Sequence, residues 1–176
     1  MGTGVWVGEL MASAEVGEIW GEAGVFSGEQ TEEEEREWAA SVTAKQRGEV
    51  AEAAFVAKAS RMGFRVAKPW GDSDRYDFIV DTGDRLRRVQ VKSAYRAGED
   101  GGYSFHAHGH SLQAYGADEI DALVAYVVPE NAWYVFPVRE MERVRSFKLF
   151  PGSRKKRSRF ERFREAWWVL RRRGRG

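Results

Sequence analysis

Four side chains could hold a hard cation and act on a phosphate: Glu52, Asp77, Gln90 and Lys92. Three of them belong to one stretch, Tyr76 to Lys92. There the apolar runs Phe78-Ile79-Val80 and Val89 with Val91 flank Asp81-Thr82-Gly83-Asp84. This pattern predicts a β-hairpin whose loop uses glycine for a positive φ. Period-two geometry then puts Gln90 and Lys92 on one face of the sheet, with Asp77 opening the first strand. A carboxylate, an amide oxygen and an ammonium gathered there could bind a divalent cation beside a phosphate. The competing reading is a solvent-facing hairpin in which Asp77 and Lys92 form an ordinary salt bridge. Glu52, with Glu49 three residues earlier, falls in a preceding helical segment that could bring a carboxylate over the sheet. The bland alternative for these glutamates is surface pairing with Lys45 or Lys58.

Two further sets of residues could serve binding. His106, His108 and His110 alternate in Tyr-Ser-Phe-His-Ala-His-Gly-His, so a strand would put His106 and His108 on one face. A transition-metal site is one reading. With no cysteine nearby and glycine-rich surroundings, a phosphate or base contact is the better one. Near the end, Arg154, Lys155, Lys156, Arg157 and Arg159, with Arg171 to Arg173, could neutralise phosphates and give salt-dependent nucleic-acid binding. Trp167 and Trp168 lie among these charges, and core packing accounts for at least one of them.

Composition narrows the field. With 43% hydrophobic and 13% aromatic residues in 176, the chain can bury one real core. It has no cysteine, which removes disulfides and cysteine-based zinc sites. No apolar run reaches the ~20 residues of a membrane helix, and the start lacks the pattern of a secretory signal, so a cytoplasmic protein without membrane association is expected. The net charge of +1 conceals segregation: residues 1–42 hold ten Glu and one Arg, while residues 143–176 hold fourteen Lys or Arg and two Glu. An acidic, poorly ordered segment over 1–42, a folded domain over 43–145 and a basic extension with a helix over 146–176 are expected.

The elements that must position the candidates can be read in order. Thr31 followed by a Glu run resembles a capped, acidic helix start, and a solvated helix or acidic linker is the preferred reading of it. A helix is expected over about 44–62, stopped by Gly63, with Val50, Ala53, Ala54, Ala57 and Met62 inward and Ala51 and Phe55 at the edge. Phe64 to Ala67 reads as a strand ended by Pro69, and the hairpin follows. Tyr103 to His108 alternates as a strand, Ala122 to Val128 is a buried strand, Trp133 to Pro137 is another, and Val138 to Val144 reads as a short helix. Phe160 to Leu170 has helical spacing. This order implies a small α/β domain around a mixed sheet.

Gly48-x-x-x-Glu52, Gly63-Phe64, the Pro69-Trp70-Gly71-Asp72 loop, Tyr76-Asp77 and Gln90-Val91-Lys92 together resemble the PD-(D/E)xK nuclease superfamily. The closer likeness is to the branch that includes intron-encoded homing endonucleases; archaeal Holliday junction resolvases share the core with a more distant pattern. The run from Asp121 to Val138 extends the resemblance, which covers about residues 44–142. It implies a restriction endonuclease-like fold (αβββαβ, a mixed sheet flanked by helices) and hydrolysis of DNA phosphodiester bonds with Mg²⁺, or Mn²⁺ in its place. Asp77, the Gln90 amide oxygen, the Val91 carbonyl and Glu52 would hold the metal, and Lys92 would orient the attacking water or stabilise the transition state. The departures are Gln90, where an acidic residue is commoner although this branch tolerates Gln, and Tyr76, where the name has Pro. DNA is the expected partner, with RNA also open, and a homo-oligomer is compatible with the resemblance. A catalytically inactive nucleic-acid-binding relative is the alternative.

Overall fold

The computed structural model describes residues 28–71, 73–109 and 112–171. Expectations for residues 1–27, Asp72, His110, Arg172 and Arg173 lie outside these. The chain divides into a unit of residues 1–34 and a unit of residues 35–176. Among the described residues no helix is long and apolar enough to cross a membrane.

Helix α1 spans Gly28–Ser41, so it starts ahead of Thr31, which is not its cap; glutamates propagate a helix readily. Helix α2, Ala44–Arg61, opens on a capping box in which the Thr43 hydroxyl accepts from Gln46 N and the Gln46 side chain accepts from Thr43 N. It stops at Met62 and Gly63, where φ is +81°. The face α2 buries is Ala51, Phe55 and Ala59, while Val50, Ala53 and Ala57 are exposed. The expected inward face is therefore rotated about the helix axis. The reason is area: Phe55 stacks on Phe78 with ring centroids 5.1 Å apart, and one aromatic anchor outweighs several alanines. The rotation brings Glu52, one residue past Ala51, to the flank of the buried face.

The main sheet has the order β1-β2-β3-β5-β6, with β1 Arg65–Ala67, β2 Phe78–Asp81, β3 Leu86–Ala94, β5 Ala122–Val127 and β6 Ala132–Pro137. β1, β2 and β3 pair antiparallel, β3 and β5 parallel, and β5 and β6 antiparallel. The hairpin turn between β2 and β3 places Gly83 at φ +91°, as its sequence requires. The parallel connection from β3 to β5 carries β4, Tyr103–His106, and a turn over residues 117–119. Arg88 staples that turn to β3: its Nε and backbone N–H donate to the Asp121 carboxylate, at 3.3 and 2.7 Å, and its Nη2 donates to the Ala117 carbonyl.

β4 pairs antiparallel with β7, Ser146–Leu149, in a separate two-stranded ribbon. Phe136 of β6 lies edge-on to Phe147, Phe160 and Phe163, which binds the ribbon to one face of the sheet. Phe55 and Trp167 pack against Trp133 on the other. Alternation along β6 separates Trp133 from Phe136 and so gives three layers.

Two expected helices are shorter than their spacing suggested. Residues 138–144 form a 3-10 turn, Val138–Glu140, followed by a further turn over residues 141–143. Phe160 to Leu170 breaks into a 3-10 turn, Glu161–Phe163, and a short helix α3, Trp168–Arg171. Arg164 bridges to Tyr134, Glu165 N donates to Trp133 O at 2.7 Å, and Glu165 adopts φ +48°. The segment thus covers the outer edge of β6 instead of continuing as a helix. Trp167 is buried there, whereas Trp168 is 47% exposed.

Candidate active site

Asp77 lies just before β2, and its backbone N–H donates to Val89 O at 2.9 Å, which holds it level with β3. One of its oxygens, Oδ2, accepts from Gln90 Nε2 at 2.6 Å and from Val91 N at 2.7 Å. Gln90 Nε2 also donates to Val91 O at 3.2 Å. A carboxylate oxygen and a backbone carbonyl therefore converge on one point, taken by an amide nitrogen. Gln90 is the buried polar residue among the described ones, at 8% exposure. Burial raises the Asp77 carboxyl above the ordinary carboxylate range; the Val91 N–H opposes this and the charge of Glu52 adds to it.

Lys92 shares the Gln90 face of β3. Burial pushes its ammonium below the ordinary lysine value; Asp77 pulls it back up and Arg75 lowers it further. Among the described residues no ion pair joins Lys92 to Asp77, so the ordinary hairpin salt bridge is not what the fold builds. Lys92 Nζ instead lies 5.9 Å from the centre of the Tyr115 ring, and the Arg75 guanidinium stacks 5.1 Å from the same ring. Arg75 is fixed by Glu119, with Nε–Oε1 at 2.8 Å and Nη2–Oε2 at 3.2 Å.

Glu52 reaches this neighbourhood from α2, half-buried. Its carboxylate meets neither Lys45 nor Lys58 but Lys68 at 2.7 Å, while Lys58 pairs with Glu165 at 3.1 Å. Lys68 is raised above the usual lysine value, first by the hydrogen bond to Glu52 and then by the charges of Glu52, Asp77 and Glu49 against a desolvation penalty. The fold thus brings Glu52, Asp77, Gln90, Val91 and Lys92 together and adds Lys68, Arg75 and Tyr115, which the sequence reading passed over. Lys68 was within reach of that reading: β1 antiparallel to β2 pairs Ala67 with Ile79, which sets the next residue beside Phe78 and Asp77. Tyr115, far along in a loop, carries no local signal.

The donor set suits a hard cation, since every candidate ligand is an oxygen: two carboxylates, an amide and a backbone carbonyl. Among the described residues no three His, Cys, Asp or Glu side chains gather where they could hold a metal, so a metal centre here has to draw on Gln90 and Val91. Gln90 would have to turn its amide about to present oxygen. His106 and His108 do share a face, with rings 5.2 Å apart, but no third such side chain joins them among the described residues.

The basic loop lies elsewhere. Arg154, Lys155, Lys156, Arg157 and Arg159 are all exposed. The loop is ordered by the Ser153 hydroxyl, which accepts from Lys155 N and Lys156 N at 3.3 and 3.0 Å. Lys156 Nζ donates to Asp100 O at 2.9 Å, and Arg159 stacks on Phe160.

The fold agrees with what comparison with known proteins finds. A search of curated protein sequences finds no significant match. Among solved structures, the bacterial homing endonuclease I-Ssp6803I is similar at a TM-score of 0.68 and 30% identity, over 73% of this chain and 93% of that one. The profile of the PD-(D/E)XK endonucleases matches residues 42–169, a span holding Glu52, Asp77, Gln90 and Lys92 together with the ribbon and the basic loop. By fold, motif and sequence profile, the chain belongs to the PD-(D/E)XK endonuclease family.

Proposed function

We propose that the chain is a metal-dependent endonuclease that hydrolyses DNA phosphodiester bonds, with Mg²⁺, or Mn²⁺ in its place, held by Asp77, Gln90, Val91 and Glu52. The observation that supports this most is the convergence of Asp77 Oδ2 and Val91 O on one point, 2.6 and 3.2 Å from Gln90 Nε2, beside a partly desolvated lysine. A divalent cation bound there lowers the pKa of water and neutralises charge developing on the phosphate. Lys92 holds the attacking water or the phosphate oxygens, and its lowered proton affinity makes transfer near neutrality easier. The Tyr115 ring walls water away from the Lys92 side. Lys68, paired with Glu52, has to yield that carboxylate as the site loads. Arg154, Lys155, Lys156, Arg157 and Arg159 hold DNA phosphates at a distance from the reaction.

The test is cleavage of plasmid, linear and branched DNA by wild type, Asp77→Ala and Lys92→Ala, in Mg²⁺, Mn²⁺ or EDTA. Cutting that needs the metal and is lost in both variants is the expected result. Salt-sensitive binding without cutting of any substrate leaves the inactive, nucleic-acid-binding relative as the correct reading. That second reading has its own support in the Gln90 amide nitrogen, which faces Asp77, and in the commitment of Glu52 to Lys68.

A further inference from the structure

The β4–β7 ribbon has two unlike faces. Its register pairs Ser104 with Lys148 and His106 with Ser146, and these four are exposed, while Tyr103, Phe105, Phe147 and Leu149 point inward and are buried. Two-stranded sheets are marginal alone, but this one is rigidly backed. Phe105 stacks on Phe147 at 5.3 Å, and Phe136 meets Phe147 edge-on. The outer face carries serine, histidine and lysine, with neither an apolar nor an acidic residue. A rigid face made only of hydrogen-bonding side chains is poorly suited to a protein partner, whose interface core is apolar.

The ribbon is also continuous with the candidate active site. Ala107 N donates to Arg145 O at 2.9 Å, which prolongs the pairing past β4. The His108 ring then lies 5.2 Å from that of His106. The next residue, Gly109, packs so closely on the Arg75 guanidinium that a Cβ there would collide with it. Arg75 is two residues before Asp77. At the far end Lys148 Nζ is 2.7 Å from Asp100 Oδ2, and Lys156 Nζ donates to the Asp100 backbone carbonyl, so both ammoniums meet at Asp100 and tie the ribbon to the basic loop. A polar strip therefore runs from the cation-binding cluster to the basic loop.

We infer that this outer face reads base edges: Ser104, His106, His108 and Ser146 enter the major groove of duplex DNA next to the phosphate that is cut, and Lys148 secures the flanking backbone. The inference rests on the reading of the chain as a DNA endonuclease. An antiparallel pair of strands fits a major groove about 12 Å wide, as in other β-ribbon readers. Alternate residues of a strand are about 6.8 Å apart, which is two base-pair steps of about 3.4 Å. Ser104, His106 and His108 so address successive pairs of steps, while the basic loop contributes position rather than sequence.

The test is selection from a randomised duplex library in EDTA and low salt, with full-length wild type, the triple variant Ser104→Ala/His106→Ala/Ser146→Ala and each single variant, all checked for an unchanged Tm. Wild type is expected to enrich a defined sequence. The triple variant is expected to bind random duplex within about twofold of wild type, while its preference for the selected sequence falls at least tenfold. Each single variant should relax a different position, and this carries the test should the triple variant melt early. Recovery of the same sequence by the variants overturns the inference. So does duplex binding by wild type with no sequence enriched, in which case metal-dependent cutting of DNA still upholds the endonuclease reading. Absence of duplex affinity in wild type removes both.

Discussion

Replacing Gln90 by glutamate tests the proposed cation cluster directly, because it restores the acidic residue commoner in the family while leaving the side-chain length unchanged. In the protein as folded, Gln90 Nε2 donates to Asp77 Oδ2 at 2.6 Å, and the residue is 8% exposed. A carboxylate in its place sets acceptor against acceptor. Two unit charges about 4 Å apart at an effective dielectric of about 20 repel by about 4 kcal/mol. The new carboxyl can escape by keeping a proton, but holding one at pH 7 against an ordinary value of about 4.3 costs about 3.7 kcal/mol. Either route predicts that Gln90→Glu loses about 4 kcal/mol at pH 7 without metal. Here the folded state raises the carboxyl's proton affinity, so the variant matches wild type below its unfolded pKa and falls behind as pH rises. The deficit should be only about 1 kcal/mol at pH 5. Urea denaturation in EDTA at the two pH values measures it, and added Mg²⁺ should recover most of the loss. A variant within about 0.5 kcal/mol of wild type at pH 7 in EDTA, or one whose deficit grows toward acid, refutes the proximity of Gln90 to Asp77 on which the site depends.

Phe55→Ala should cost about 3–5 kcal/mol in chemical denaturation, because the ring is fully buried against Phe78, Trp133 and Trp167. Thr43→Ala breaks the capping box of α2 and should cost about 1 kcal/mol in the same assay. Burial pushes the Tyr115 hydroxyl up to about 12 from 10.0, so the folded state keeps a proton that the unfolded chain releases. That contribution is intact below pH 10 and fades as pH climbs toward 12; alkaline melting curves should show it, and Tyr115→Phe should flatten it. Replacing Arg154, Lys155, Lys156 and Arg157 by alanine should lower the slope of log affinity against log salt by about 3–4 for duplex DNA, with metal-dependent cutting at low salt retained.

The hairpin was legible because its signal is local: alternation, a glycine where φ must be positive, and polar residues two apart on β3. The span of α2 was legible for the same reason, since apolar spacing and a Gly stop are read from neighbouring residues. Its inward face was not, because counting alanines gave no weight to the stacking partners of Phe55, which lie in β2, β6 and the C-terminal segment. The same limit hid the partner of Glu52. Lys45 and Lys58 are helical neighbours, but Lys68 comes close only through the pairing of β1 with β2. Tyr115 and Arg75 depend on the long passage between β3 and β5, whose path no short-range periodicity encodes. At Phe160–Leu170 the helical spacing was real, yet pairing of Arg164 with the open edge of β6 won over the local preference.

The parallel pairing of β3 with β5 has a consequence for how the molecule comes into being. The strand that carries Gln90 and Lys92 has its antiparallel neighbour nearby in the chain, but its other flank is closed by residues well downstream; the Arg88–Asp121 contact spans 33 positions. Loops of that kind have to close before their contacts repay the entropy spent, which makes such pairings slow to form. During synthesis the hairpin can form early, while its outer flank stays bare until β5 has emerged. A pulse-labelling hydrogen-exchange experiment should find the amides of Val80 and Arg87 protected before those of Val124 and Ala125. The cluster around Asp77 is then finished only when most of the polypeptide is in place, so a truncated product ending before β5 carries all four candidate catalytic residues and yet no site.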